Sequence, residues 1–282
     1  MLSSNHPFEK RSKTLNVEDF FYSLSLQFRH KWLWEKSNQL DETIEYILKP
    51  VKGAKHLFRT LLRRFKYIDS SHSQTNLKAI AFQIKEEWKC DKETTLIMPV
   101  CTKSDRHPDG SSKMVYDLRT ALGDWKGNNI LNYYDESDRR ISSGFNVILC
   151  DDFIGSGYTI NKRIQALKGT LSSQAKLYIV SLAGMKEARD TVLKQADVFY
   201  FAPLWMEKGI KEPAKEHVML NMEALLAPTF GTQKMRNCSL GYGNTGSLYY
   251  NKEYRIPNNV YPVFWWGTLA DGRRFQSLFL RP

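Results

Sequence analysis

FNVILCDDFIGSGYTINKRIQALKG, running from Phe145 to Gly169, decides how the rest of the chain is read. Val147, Ile148 and Leu149 form the apolar run of a buried strand, and Asp151 and Asp152 follow almost at once. The loop Gly155-Ser156-Gly157-Tyr158-Thr159 comes next, after which Ile160, Ile164 and Leu167 recur at helical spacing. In an open parallel sheet ligands collect beyond the carboxyl ends of the strands. A loop entering a helix there offers unpaired N–H groups and the positive end of the helix dipole to an anion. Glycines let the backbone approach, and hydroxyls add donors. Two carboxylates at the strand end accept hydrogen bonds from vicinal hydroxyls, or hold Mg²⁺ through oxygen. One turn can thus read both the diol and the phosphate of a sugar phosphate. The plainer alternative is an ordinary strand-to-helix turn with an aspartate capping the helix.

The flanking sequence continues the alternation of strand and helix. Upstream, a helix ends at Trp88, and Thr94 to Val100 is a short apolar strand that empties into Cys101-Thr102-Lys103-Ser104 and the polar loop Asp105 to Ser112. The helix KMVYDLRTAL follows, carrying Lys113 and Arg119, and then a polar span from Asp124 to Gly144. Downstream come strand Leu177 to Leu182, helix Lys186 to Gln195 and strand Val198 to Phe201. This order predicts an α/β fold, a parallel sheet with helices on both faces.

Both ends differ in character. From residue 17 to 90 the apolar positions recur at three and four, and the polar SSHSQT stretch, Ser70 to Thr75, predicts a boundary between a helical appendage (1–75) and the α/β domain (76–282). Lys49 through Lys66 carries seven basic residues and no acid. Lys52, Lys55, Arg59, Arg63 and Lys66 fall opposite the apolar stripe of one helix, a candidate path for nucleic-acid phosphates, although such charge runs are usually solvated faces. Residues 203–282 hold a helix near Glu216 to Leu226, then Leu240-Gly241-Tyr242-Gly243-Asn244, Ile256-Pro257-Asn258-Asn259 and the aromatic run Val260 to Trp266. Tyr250, Trp265 and Trp266 either stack on a base or pack in a core.

A net charge of +11 over 282 residues invites a polyanionic substrate or partner. The four cysteines form no C-x-x-C pair and the six histidines no metal motif, so neither a zinc site nor a disulfide framework is expected. No apolar run approaches the roughly 18 residues of a membrane span, and the first residues lack a signal-peptide core, which predicts a cytoplasmic protein without a membrane partner.

The strand, the two acids and the small-hydroxyl and glycine loop ending in Thr159 resemble the signature of the type I phosphoribosyltransferases. The resemblance extends over about residues 94 to 202. It implies that Asp151 and Asp152 face the ribose hydroxyls of phosphoribosyl pyrophosphate or a nucleotide, and that Gly155 to Thr159 hold the 5′-phosphate. It also places Thr102, Lys103 and Ser104 in a pyrophosphate loop, makes 124–144 a closing loop and 203–282 a base-selecting hood, and adds Mg²⁺ held through Asp151 and Asp152. Tyr158 departs from the pattern, which usually has a small residue there. A second resemblance, carried by GYGN, PNN and PxFWW, is to a phosphoribosyltransferase-like subfamily of bacterial anti-phage systems, some members accompanying retrons. It implies a defence effector, with nucleic acid or a retron reverse transcriptase complex as partner. Two functional classes stay open: a Mg²⁺-dependent enzyme acting at C1′ of a phosphorylated ribose, and a non-catalytic module that senses a nucleotide or binds nucleic acid through the same pocket.

Overall fold

The structure is a computed structural model that describes residues 15–104, 110–125, 127–210 and 238–279. In chain order its main elements are α1 (Val17–Arg29), α2 (Ser37–Thr43), α3 (Ala54–Arg64), β1 (Lys66–Ile68), α4 (Ser70–Phe82), β2 (Thr95–Pro99), α5 (Gly110–Leu122), α6 (Arg139–Ser142), β3 (Asn146–Ile154), α7 (Tyr158–Lys168), β4 (Leu177–Met185), α8 (Lys186–Leu193), β5 (Val198–Phe201), β6 (Trp205–Met206) and β7 (Tyr249–Asn251). Two compact units share them. One combines residues 1–67 with 208–250 and 258–282, and the other combines 68–207 with 251–257.

The second unit is built on a parallel sheet in the order β2-β3-β4-β5, with β6 paired to the end of β4. Side chains alternate across a strand. Ile148 and Cys150 of β3, with Tyr178, Val180 and Leu182 of β4, pack against Leu77, Ile80, Met114 and Leu118 of α4 and α5. Val147, Leu149, Leu177 and Ile179 point the other way and are equally buried, as are Ile160, Ile164 and Leu167 of α7 and Ala188 and Val192 of α8. A sheet covered on both faces explains why its strands read as unbroken apolar runs.

The connections make a topological switch. Ile97 of β2 pairs with Ile148 on one side and with Ile130 on the other. After β2 the chain therefore crosses over α5 to the far edge of the sheet, then returns through α6 to β3 and proceeds through α7 to β4. The crevice at the carboxyl ends of β2 and β3 lies where the winding reverses, the place such sheets keep for ligands.

Several sequence expectations are corrected. SSHSQT is no break: Asp69 Oδ1 accepts from the His72 N–H at 2.9 Å and starts α4 at Ser70, so a polar stretch becomes the first turns of a capped helix. The chain instead parts at Tyr67/Ile68. The segment expected to close over a site is pinned as an edge strap: the Leu131 N–H donates to Ile97 O at 2.8 Å and the Tyr134 N–H to Cys101 O at 2.7 Å. The helix expected near 216–226 lies outside the described residues.

In the first unit two members of the basic stripe, Lys55 and Arg59, are engaged by α1. Lys52 precedes α3 and Lys66 lies in β1. The Lys55 ammonium stands 2.6 Å from Asp19, a carboxylate only 1% exposed, and 3.0 Å from Glu18. The Arg59 guanidinium covers the Tyr22 ring at 5.0 Å. Lys52, Arg63 and Lys66 stay exposed. Removing the cation above a buried carboxylate leaves that charge uncompensated, so Lys55→Ala should cost about 2 to 3 kcal/mol, while Asp19→Asn with Lys55→Met should recover most of it. Urea unfolding of the three proteins checks this, and an unchanged midpoint for Lys55→Ala would refute the role given to the pair.

Candidate active site

β3 does not stop before the acids. It runs through Ile154, and Asp151 is paired in register with Ser181 of β4. The two carboxylates are therefore consecutive strand residues and leave opposite faces of the sheet. Asp152 shares the face of Ile148 and Cys150 and meets the start of α5, where a methyl built on Gly110 would overlap its carboxylate. Asp151 shares the other face with Ser181, whose hydroxyl lies 2.9 Å from the Tyr200 hydroxyl. Burial pushes the Tyr200 phenol far above its ordinary range, the Ser181 contact offsets a little, and the Asp151 charge pushes it further up. That phenol stays protonated near neutral pH. Burial and then the Asp151 charge raise the Cys150 thiol in the same way.

The residues expected to hold a phosphate, Gly155 to Thr159, run from the end of β3 into the first turn of α7. Gly155 and Gly157 are buried, Ser156 is half-buried, and Thr159 is exposed. Gly157 sits at φ 77°, a left-handed conformation that disfavours any side chain, and forms the N-cap of α7. Asn16, Asp69 and Asp138 cap α1, α4 and α6 with their carboxyl or amide oxygens, whereas α7 has no capping side chain on its N-cap and no acid in its first turn. The Tyr158 N–H reaches Ser156 Oγ at 3.4 Å, and the other first-turn amides with the helix dipole can attract an anion. Tyr158, the departure from the family pattern, is 66% exposed and projects outside the core.

Thr102, Lys103 and Ser104 leave β2 beside this loop, because β2 and β3 are parallel neighbours. The hydroxyls of Thr102 and Ser104 lie 2.8 Å apart, and Lys103 is exposed. The base of the loop is tied to α5: the Cys101 N–H donates to Ser111 Oγ at 3.3 Å, and Cys101 Sγ contacts Ser112 Oγ at 2.7 Å. Lys113 pairs with Asp117 at 2.6 Å. Asp151 and Asp152 are hard oxygen donors of the kind Mg²⁺ takes, yet they diverge, and no group of three or more His, Cys, Asp or Glu could hold a metal among the described residues. The donor set fits a Mg²⁺ completed by substrate oxygens and water rather than one caged by protein alone.

Tyr250, Trp265 and Trp266 belong to the first unit. Trp265 is 8% exposed and its indole N–H donates to Val260 O at 2.8 Å, so it is a core residue and not a stacking platform. Tyr250 packs on Phe279 at 4.1 Å within a group that includes Trp32, Phe65 and Tyr67. Trp266 is half-buried, edge-on to Trp265. The GYGN and PNN motifs also meet each other: the Tyr242 N–H donates to Asn258 O at 2.8 Å, and the Asn259 amide donates to Tyr242 O at 3.0 Å. These motifs hold a fold together.

Sequence reasoning missed Gly110, Ser181, Gly184 and Tyr200. A methyl on Gly184 would overlap the Tyr200 hydroxyl, which lets the phenol reach Ser181. The only sequence signal was period-two alternation in the strands, which places Ser181 and Asp151 on one face once their register is known.

Residues 45–281 match the model of the family described as PRTase-CE. No curated protein matches the sequence. Among solved structures, an orotate phosphoribosyltransferase from Aeropyrum pernix is 15% identical, with 49% of this chain and 72% of that one covered and a TM-score of 0.33. A hypoxanthine phosphoribosyltransferase from Trypanosoma cruzi complexed with IMP is 18% identical over 50% and 78%, also with a TM-score of 0.33. A purine phosphoribosyltransferase from Pyrococcus horikoshii is 20% identical over 50% and 89%, with a TM-score of 0.31.

Gly110 supplies a test of the site. Its backbone is not left-handed, so alanine there improves helix propensity, and the harm comes only through the Asp152 carboxylate it displaces. Gly110→Ala should weaken binding of a ribose 5-phosphate ligand about ten-fold, roughly 1.4 kcal/mol, with thermal stability nearly unchanged. Calorimetry with equal affinities for both proteins would show that Asp152 does not read the ligand.

Proposed function

The chain belongs to the PRTase-CE family, and from that premise we propose that it is a Mg²⁺-dependent enzyme making or breaking the C1′ bond of a phosphorylated ribose. The observation that carries this reading is the convergence, at one topological switch, of the α7 N-terminus without a capping side chain, the end of β3 with its two acids, and the hydroxyl-rich exit of β2. The α7 amides, with Ser156 and Thr159, hold the 5′-phosphate. Asp151 and Asp152 accept the ribose hydroxyls from either side of the strand end and lie near the oxocarbenium-like charge that develops at C1′. Asp151 shares its sheet face with Ser181, whose hydroxyl is hydrogen-bonded to the buried neutral phenol of Tyr200, and its charge is felt at that phenol. Lys103, on the β2 loop, offers its ammonium to the departing pyrophosphate or nucleobase. Bound Mg²⁺ would supply further charge neutralisation at the leaving oxygens. Catalysis on this reading is positioning and electrostatics, without a general base.

A role in anti-phage defence, with nucleic acid or a retron reverse transcriptase complex as partner, belongs to the same proposal. The C-terminal motifs support it, and Lys52, Arg63 and Lys66 are exposed cations of the basic segment that can meet phosphates. A second reading, a pocket that binds a nucleotide without turnover, is favoured by Tyr158, whose exposed ring stands at the phosphate loop where the resembled family keeps a small residue.

Asp151→Asn with Asp152→Asn should abolish binding of phosphoribosyl pyrophosphate and 5′-mononucleotides and leave the fold intact, because both groups lie at a strand end outside the apolar core. Product analysis with Mg²⁺, phosphoribosyl pyrophosphate and a panel of bases and nucleotides then separates the two readings. Turnover in the wild type that is lost in the double variant supports the enzyme. Tight binding without products supports the module, and undiminished binding by the variant refutes the site.

A further inference from the structure

Ser112, Val115, Tyr116 and Arg119 stand at i, i+3, i+4 and i+7 of α5 and so share one face of that helix. Across from them runs the edge strap, where Ile130, Asn132 and Tyr133 complete the lining of a cavity of about 150 Å³. It lies within the second unit, at the sheet edge beyond β2, and uses neither the acids of β3 nor the α7 terminus. Its chemistry is specific. Tyr116 is 74% exposed and Tyr133 38%, so two phenol rings stand in water at its rim. Arg119 is exposed, with its guanidinium beside Gly127, where a methyl would come within 2.9 Å of Nη2. Among the described residues that line the cavity there is no carboxylate to neutralise that charge. Val115 and Ile130 add apolar walls, and Asn132 adds a carboxamide that both donates and accepts.

The wall opposite α5 is preformed. Besides the Leu131 and Tyr134 bonds to the end of β2, the Asn129 amide donates to Lys92 O at 2.9 Å, and Arg140 donates to Asn128 O at 2.7 Å while clasping Asp138. A binding surface held this way loses little entropy on occupation. Sites for drug-sized ligands are about 300 to 1,000 Å³, so this one has room for a single heterocycle. Aromatic faces to stack on, a carboxamide to read a base edge and an exposed guanidinium for a phosphate are the set that recognises an unstacked nucleotide. We propose that this cavity binds a nucleobase, carried by a free nucleotide or by a single-stranded nucleic acid, with the attached phosphate at Arg119.

The test uses the full chain with Asp151→Asn and Asp152→Asn, so that occupancy of the strand-end site does not register and the outcome is independent of the phosphoribosyl reading. The probes are 4-thiouridine 5′-monophosphate and a short single-stranded RNA containing 4-thiouridine. Photo-crosslinks should map to the peptides carrying Tyr116 or Tyr133. Tyr116→Ala and Tyr133→Ala, both at exposed positions, should each weaken binding about ten-fold, and Arg119→Gln should lower the log–log salt slope for the RNA by about one. Loss confined to the mononucleotide identifies a free nucleotide as the occupant, and loss confined to the RNA identifies a strand. Crosslinks elsewhere with undiminished affinity in both tyrosine variants, or no binding of either probe, would overturn the proposal.

Discussion

The parallel pairing of β3 between β2 and β4 is the constraint on which the rest of the second unit depends. A central strand covered on both faces must be apolar on both, so Val147 to Cys150 leave no room for polar chemistry until the strand reaches its carboxyl end. The acids can only stand where they do. Parallel pairing also sends the exits of β2 and β3 to the same edge, so two loops more than forty positions apart in sequence become neighbours. The reversal of winding between them opens the crevice.

Strand alternation then sets what the acids can do. Adjacent carboxylates on a strand diverge to opposite faces, and each acquires its own surroundings. Asp152 is packed against a glycine at a helix start, and Asp151 sits beside a buried phenol held neutral by desolvation. Gly110 and Gly184 each mark a point where a polar group from another element comes within a methyl's reach of the backbone.

The first unit shows how an attractive surface pattern can be spent on structure. Lys55 and Arg59 lie opposite the apolar stripe of α3, as a helical wheel predicts, yet α1 presents a buried Asp19 and the Tyr22 ring to them. A charge run seen in one helix says nothing of the acid supplied by another. The aromatic run near the C-terminus behaves likewise, since Trp265 places its indole N–H on a backbone carbonyl and its ring in the core.

The α/β alternation, the parallel sheet and the glycine-bearing turn between β3 and α7 are legible in the chain, because each depends on local periodicity and on turn chemistry that neighbouring residues carry with them. The apolar runs, the acids and the Gly-x-Gly before Ile160 needed no partner to be recognised. Register and packing are non-local, and they decided the rest. That SSHSQT begins a helix depends on a cap at Asp69, while the assembly of both chain ends into one unit, and the placing of Ser181, Tyr200 and Gly110 around the acids, depend on strand pairs and helix contacts far apart in sequence. The cavity between α5 and the edge strap arises in the same way, from a helix face and a strap that meet only after Ile130 has paired with Ile97.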